Sequence, residues 1–333
     1  MILFYTLIMD NLKKNGINSI IILKDNETIF KNKNVIKKKK NKIDDIYDFK
    51  NTNYHPYYKN TKLHSIQSIT KSVTSLLFGL AIERGDLKSN IDNDYIRKYF
   101  KEYDHYFQDD KLKKKIKIKH LFTMKSGIYV SKKITNFDNP NHIFHLMEKS
   151  DDWVDFILSI KVTKTPGTFF EYKDFDPILL SYIFKNITNY NLDEYAKKYF
   201  FPKLKIKSFF WRKTKNKLSD TMGGLYLSIE SLLKIGKLIM NKGKYNGKQL
   251  IHLNWFNKSI KNYSRAKPLK FWGYDYGYGY YFWSIEDAIF CWGVKGQYIF
   301  ILPKRNIIAV IFQWNNKNEI FPVEFYKKYL LKI

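Results

Sequence analysis

Apolar and polar positions change period several times along this 333-residue chain, and each change predicts a different kind of element. Residues 18–30, NSIIILKDNETIF, hold a continuous apolar run, a polar Lys24-Asp25-Asn26 step and a second short run, the pattern of a β-hairpin. A lysine-rich polar stretch follows. From Ser68 the apolar positions fall three and four apart. In TKSVTSLLFGLAIERGDL, Val73, Leu76, Leu77, Leu80 and Ala81 share one side of a helix that Gly85 ends. Helical spacing continues to about residue 220 with breaks at Gly127, Asn139-Pro140 and Pro166-Gly167. SLLKIGKLIMNKG adds an amphipathic helix closed by Gly243. The final third consists of short aromatic or β-branched runs at 276–283, 287–292, 297–303 and 306–314, separated by turns such as Pro303-Lys304-Arg305-Asn306. These predict successive antiparallel strands, closed by a helix in VEFYKKYLL.

Strands at both ends and helices in the middle predict an α+β fold in one domain. An antiparallel sheet is built from residues 1–62 and 222–333 and flanked by terminal helices, and an all-helical lobe, 63–221, is inserted into it. The cleft between the lobes is the expected ligand site. MILFYTLIMDNLKKNG lacks a basic start and meets Asp10 without a small-residue cleavage site, so it reads as a first helix rather than a secretory signal. No apolar run reaches the roughly 18 residues of a membrane-spanning helix. A single cysteine, Cys291, leaves no internal disulfide and fits a reducing compartment, so a cytoplasmic location is expected.

The composition, 44% hydrophobic and 18% aromatic, supplies a large core and excludes global disorder. The net charge of +28 raises nucleic-acid binding, with IKKKKNK at 36–42 and KLKKKIKIK at 111–119 as the candidate patches. The cations are nearly all lysine. Only Arg84, Arg97, Arg212, Arg265 and Arg305 could supply the forks that phosphate and base readers use. The excess charge therefore reads as solvated surface, accompanied throughout by abundant Asn, Ile and Tyr.

Candidate chemistry begins with Ser-x-x-Lys, a spacing that sets a lysine amine beside a serine hydroxyl on one helix face. It occurs at Ser68/Lys71, Ser231/Lys234 and Ser264/Lys267. Only Ser68 opens a strongly apolar helix, where the N-terminus favours a developing negative charge. Ser231/Lys234 lies on a solvent-facing helix side, and Ser264/Lys267 in a proline-ended loop. Ser65 is expected in a turn before the helix, and Ser72 and Ser75 as small polar packing positions. His142 and His145 lack a ligand set, so neither metal nor cofactor is expected. His120 is expected to cap or pack beneath the Ser126-Gly127 turn, and Cys291 to be a strand core residue.

SIQSITKSVTSLLFGLAIERGDL resembles the nucleophile segment of the serine β-lactamase and penicillin-binding-protein superfamily, in its class C-like, esterase and 6-aminohexanoate-dimer-hydrolase branch. IKIKHLFTMKSGI resembles that family's Met-x-Ser-Gly turn, and TPGTFFEYKDFDPILLSYIFKNITN its Pro-Gly-Thr and Tyr-x-Asn segment. GGLYLSIESLLKIGKLIMNKGKYNGKQLI resembles the helix and loop that follow, and GVKGQYIFILP the last strand motif. The resemblance implies a serine hydrolase acting on an ester or amide. Ser68 is the acylated nucleophile, Lys71 its neighbouring base and Tyr172 the second base or proton shuttle. It further implies an oxyanion site from the Ser68 and Gln297 N–H groups, with Gly296 leaving room for substrate. Two departures stand out. Asp174 replaces the asparagine of Tyr-x-Asn and would hold Lys71 as an ammonium. Val294 replaces a cation, for which Lys295 could substitute only from the opposite strand face. A catalytically silent binding protein and a basic nucleic-acid-associated protein are the rival readings. The expected partner is a small ester or amide, and the sequence leaves the oligomeric state open.

Overall fold

The computed structural model describes residues 17–33, 57–59, 61–129, 139, 141–266, 275–314 and 322–333. The expected first helix and the lysine run at 36–42 lie outside the described residues. Strands β1 (Ile17–Lys24) and β2 (Glu27–Lys33) form the predicted hairpin. Its two turn residues, Asp25 and Asn26, both take positive φ (51° and 66°), the pairing that matches the right-handed twist of the strands.

Strands β3 (His64–Ser65), β4 (Phe210–Trp211) and β5 (Leu225–Leu227) make a small separate sheet, and β6 (Lys244–Tyr245) and β7 (Lys248–Gln249) a two-stranded ribbon. The main sheet continues with β8 (Ser264–Ala266), β9 (Tyr276–Tyr278), β10 (Trp283–Ile285), β11 (Ala288–Gly293), β12 (Gln297–Leu302) and β13 (Ile307–Gln313). Its order is β2-β1-β13-β12-β11-β10-β9-β8, and each pairing is antiparallel. The N-terminal hairpin therefore joins the sheet beside the last strand. β1, β12 and β13 are buried on both faces, which is why they read as unbroken apolar runs rather than alternations. The run 276–283, expected as one strand, is instead a hairpin: Gly279 N–H donates to Phe282 O at 2.8 Å, and Tyr281 takes φ 68°.

Between the two parts of the sheet lie the principal helices α1 (Ile69–Glu83), α2 (Ile118–Phe122), α3 (Ile143–Lys149), α4 (Trp153–Ser159) and α5 (Phe175–Thr188). Helices α6 (Ile229–Met240), α7 (Leu253–Ile260) and α8 (Pro322–Lys328) belong to the C-terminal part. α1 is the central one, buried from Ile69 to Ile82. Phe78 meets Phe122 of α2 and Phe184 of α5 edge-on and stacks over Trp255 of α7. The helix ends as expected at Gly85 (φ 82°). There Gly85 N–H donates to Ile82 O and Asp86 N–H to Ala81 O, satisfying carbonyls the helix leaves open. On the sheet's other side, Phe300 of β12 stacks on Phe325 of α8. Among the described residues no helix is long and apolar enough to cross a membrane.

Candidate active site

Four side chains named from the sequence meet at the N-terminus of α1. Ser68 stands one residue before the helix, and Gln67 ahead of it holds φ 50°. A non-glycine residue in that region is strained and persists only where its surroundings fix it. Here Gln67 Nε2 donates to Ser65 Oγ (2.9 Å), Ile66 N–H to Leu225 O of β5 (3.0 Å), and Thr70 N–H to Gln67 O (2.9 Å). The small β3–β5–β4 sheet thus pins the turn that carries Ser68.

Lys71 is 1% exposed, and Nζ donates to Ser68 Oγ at 2.9 Å and to Met222 O at 2.7 Å. It also lies 2.7 Å from Asp174 Oδ1, so three acceptors match the three hydrogens of an ammonium. Burial opposes the charge, but the Asp174 carboxylate and the Tyr172 phenol outweigh it, raising the Lys71 pKa above the ordinary lysine value. Asp174 occupies the N-cap position of α5 yet makes no side-chain capping bond; its carboxylate is diverted to Lys71. Tyr172 is 39% exposed, with its ring centroid 5.3 Å from Lys71 Nζ. The ring leans on Trp283 (5.6 Å) and stands edge-on to Tyr278 (6.2 Å), and Phe170 touches the same two rings.

The Met-x-Ser-Gly turn braces this segment from behind. Met124 O accepts from Glu171 N–H (2.9 Å), Lys125 O from Gly167 N–H (2.8 Å), and Ile128 O from Lys173 Nζ (3.1 Å). Ser126 Oγ donates to Asp176 Oδ1 at 2.7 Å. Asp176 is fully buried, and burial pushes its carboxyl up to about 6, against the opposing pull of Lys173.

Residues that the sequence did not single out support Lys71 from the far side. Met222 N–H donates to Asp220 Oδ1 (2.9 Å), and Arg212 clamps Asp220 Oδ2 through Nε (2.8 Å) and Nη2 (2.7 Å). Arg212 Nη1 lies 3.5 Å from Glu148 Oε1 on α3. Desolvation pushes the Glu148 carboxyl up to about 7; Arg212 pulls it down, while Asp220 and Asp174 add to the rise. These contacts join segments distant in sequence, and no local spacing marks them.

The glycine motif after β11 is distributed differently from expectation. Gly296 (φ 90°) backs onto Gln313, and the Gln297 side chain donates to Gln313 O, Val294 O and Lys295 O. Lys295 is 9% exposed with Nζ over the Trp314 ring at 4.1 Å, whereas Val294 is exposed, so the two do face opposite ways. The glycine against the Ser68 turn is Gly293. A Cβ there would lie 2.4 Å from Ile66 O and 2.9 Å from Gln67 Cβ, an approach only glycine permits. Among the described residues, neither the Ser68 nor the Val294 N–H has a hydrogen-bond acceptor.

The other candidates are structural. Ser231 sits in the first turn of α6, where Ser228 Oγ accepts its N–H (3.2 Å), and Lys234 Nζ reaches Lys205 O. Lys267 lies outside the described residues. Ser72 Oγ donates to Tyr281 O (2.6 Å) and Ser75 Oγ bonds Ser259 Oγ (3.1 Å), the packing roles expected for them. His120 Nδ1 accepts from Lys117 N–H at the start of α2, and burial lowers the ring to about 4. Cys291 is buried, its thiol pushed up to about 12 by desolvation. In the 111–119 lysine run, Lys113 is buried and bonded to Leu158 O, Lys117 lies over Tyr95, and Lys119 donates to Asn93. Among the described residues no group of His, Cys, Asp and Glu is arranged to hold a metal.

The chain is similar in structure to a candidate 6-aminohexanoate-dimer hydrolase from Bacillus anthracis, at 17% identity and TM-score 0.69, covering 97% of this chain and 80% of that one. It is also similar to a penicillin-binding protein from Bacillus halodurans (15% identity, TM-score 0.67, 98% and 99% covered). A third similar structure is an octameric penicillin-binding protein homologue from Pyrococcus abyssi (18% identity, TM-score 0.65, 99% and 76% covered). No curated sequence matches the chain. Its mixed fold of helices and antiparallel sheet is that of the β-lactamase and transpeptidase group. The beta-lactamase family profile matches residues 20–328, nearly the whole chain, and the protein belongs to that family.

Proposed function

We propose that this protein is a serine hydrolase that cleaves an ester or amide through an acyl-enzyme on Ser68. The observation that carries the reading is the Lys71 ammonium, buried and shared between Ser68 Oγ at 2.9 Å and Asp174 at 2.7 Å, beside the Tyr172 ring. An ammonium donating to Oγ stabilises the alkoxide that forms there but cannot take its proton. The proton therefore passes to the Tyr172 oxygen, which serves as the base, and Ser68 Oγ bonds to the substrate carbonyl carbon. The resulting oxyanion accepts from the Ser68 N–H at the start of α1 and from the Val294 N–H that follows Gly293. Tyr172 then gives its proton to the leaving oxygen or nitrogen as the bond to it breaks. In the second half-reaction Tyr172 takes a proton from water as the water oxygen bonds to the acyl carbon, then gives that proton to Ser68 Oγ as the Oγ–acyl bond breaks and the acid leaves.

The test is intact-mass detection of a covalent adduct with a fluorophosphonate probe on wild type and Ser68→Ala. A single adduct, lost in Ser68→Ala, is expected. No adduct on wild type across neutral and alkaline pH refutes the reading in favour of a catalytically silent member.

A further inference from the structure

Resting on that reading, we infer that the site takes esters or amides of apolar, aromatic-bearing acyl groups and discriminates against acyl groups that carry a carboxylate. Two independent observations lead there: which charges the site presents, and which side chains it leaves exposed.

The protein carries 59 Lys and Arg against 31 Asp and Glu, so a random patch of its surface presents lysine. The site inverts that balance. Four cations beside it are hidden: Lys71 is 1% exposed and Lys173 6%, and Arg212 and Lys295 are each 9%. All four charges are spent internally, on Asp174, Ile128 O, Asp220 and the Trp314 ring. The charged group that faces outward is Asp174, whose side chain is 37% exposed while its partner is hidden beneath it. Glu148 adds a second acid close enough to interact with it. A substrate carboxylate there meets a carboxylate, while these four cations are already paired, and like charges in such positions select strongly against a ligand.

Exposed apolar groups also lie here. Tyr172, beside Lys71, and Val294, next to the Gly293 that abuts Gln67, are 39% and 46% exposed, and Phe169 (48%) precedes Tyr172 in the same segment. Behind them Phe170, Tyr278, Trp283 and Trp292 continue as a run of ring contacts, Trp283 to Trp292 at 5.7 Å and Tyr278 to Trp283 at 4.6 Å. An aromatic acyl group added to that run gains both burial and ring–ring contact.

The experiment compares kcat/KM for four 4-nitrophenyl esters on the intact chain: phenylacetate, valerate, hemiglutarate and 4-trimethylammoniobutyrate. The last three share an acyl length and differ in charge. The expected order places phenylacetate first, with valerate and the cationic ester each at least about tenfold above hemiglutarate, the scale of one uncompensated like-charge contact. Asp174→Asn narrows the valerate-to-hemiglutarate ratio, and Val294→Lys, which installs a cation at the exposed position, closes or reverses it. A fluorophosphonate adduct on Ser68 together with hemiglutarate turnover equal to or above valerate overturns this inference and leaves the hydrolase reading standing. Absence of the adduct overturns both.

Discussion

Replacing Asp174 with asparagine isolates the electrostatic question at the centre of the site, because the amide keeps an oxygen for Lys71 and removes only the charge. Two unit charges 2.7 Å apart attract by about 6 kcal/mol at an effective dielectric of about 20. The Asp174 side chain is 37% exposed, and solvent screening reduces this to the range of a charge-assisted hydrogen bond, about 1.5–3 kcal/mol. Without that attraction Lys71 loses its proton at lower pH in the variant. Lys71 acts in the proposed mechanism as an ammonium, so its deprotonation produces the falling alkaline limb of kcat/KM. That limb moves to lower pH in Asp174→Asn, while the neutral-pH rate changes by less than about fivefold. The assay is initial-rate hydrolysis of 4-nitrophenyl acetate between about pH 6 and 11, corrected for spontaneous hydrolysis. A limb that stays in place refutes the claim that Asp174 holds the ammonium. A gain of about tenfold at neutral pH refutes the division of roles, since it makes the neutral Lys71 amine the base.

Gly293→Ala must displace Ile66 O or Gln67, so Ser68 acylation falls by more than about a hundredfold while circular dichroism stays native; an active variant shows that this backbone approach is dispensable. Glu148 gains its charge near pH 7 beside Asp174 and Asp220, so wild-type kcat/KM bends at that pH and Glu148→Gln loses the bend, leaving the high-pH limb intact. Asp176 has a folded-state carboxyl raised to about 6, so the native state binds the extra proton and wild-type stability drops, relative to Asp176→Asn, as pH rises from about 4 through 6. Thermal melts at pH 4.5 and 7.5, about two pKa units being worth about 3 kcal/mol at most, reveal a variant-minus-wild-type difference that grows with pH; an unchanged difference shows that Ser126 and Lys173 fully compensate the buried charge.

Much of the architecture follows from local pattern. The Asp25-Asn26 turn, the Gly85 helix stop and the apolar runs of β1, β12 and β13 each reflect forces that act within a few residues, namely backbone sterics and the period of side-chain burial. Ser68 and Lys71 belong to the same class, since a three-residue step on a helix suffices to bring hydroxyl and amine together. The strands β3, β4 and β5 escape such a reading because two or three residues are too short to show a period, and they exist only through pairing with one another.

Tertiary packing decided what local spacing left open. Gly293 and Gly296 stand three residues apart in one hairpin, and nothing in their neighbourhood tells which of them backs the Ser68 turn. The approach of β11 to Gln67 selects Gly293 and turns Gly296 toward Gln313. The charge on Lys71 is likewise a property of the fold, because desolvation inside α1 pushes one way and a carboxylate at the start of α5 pushes the other. Burial and Coulomb attraction depend on distance in space rather than along the chain. The sequence by itself therefore determined that the Ser68 hydroxyl and the Lys71 amine meet, and only the folded structure determined the charge that Lys71 carries there.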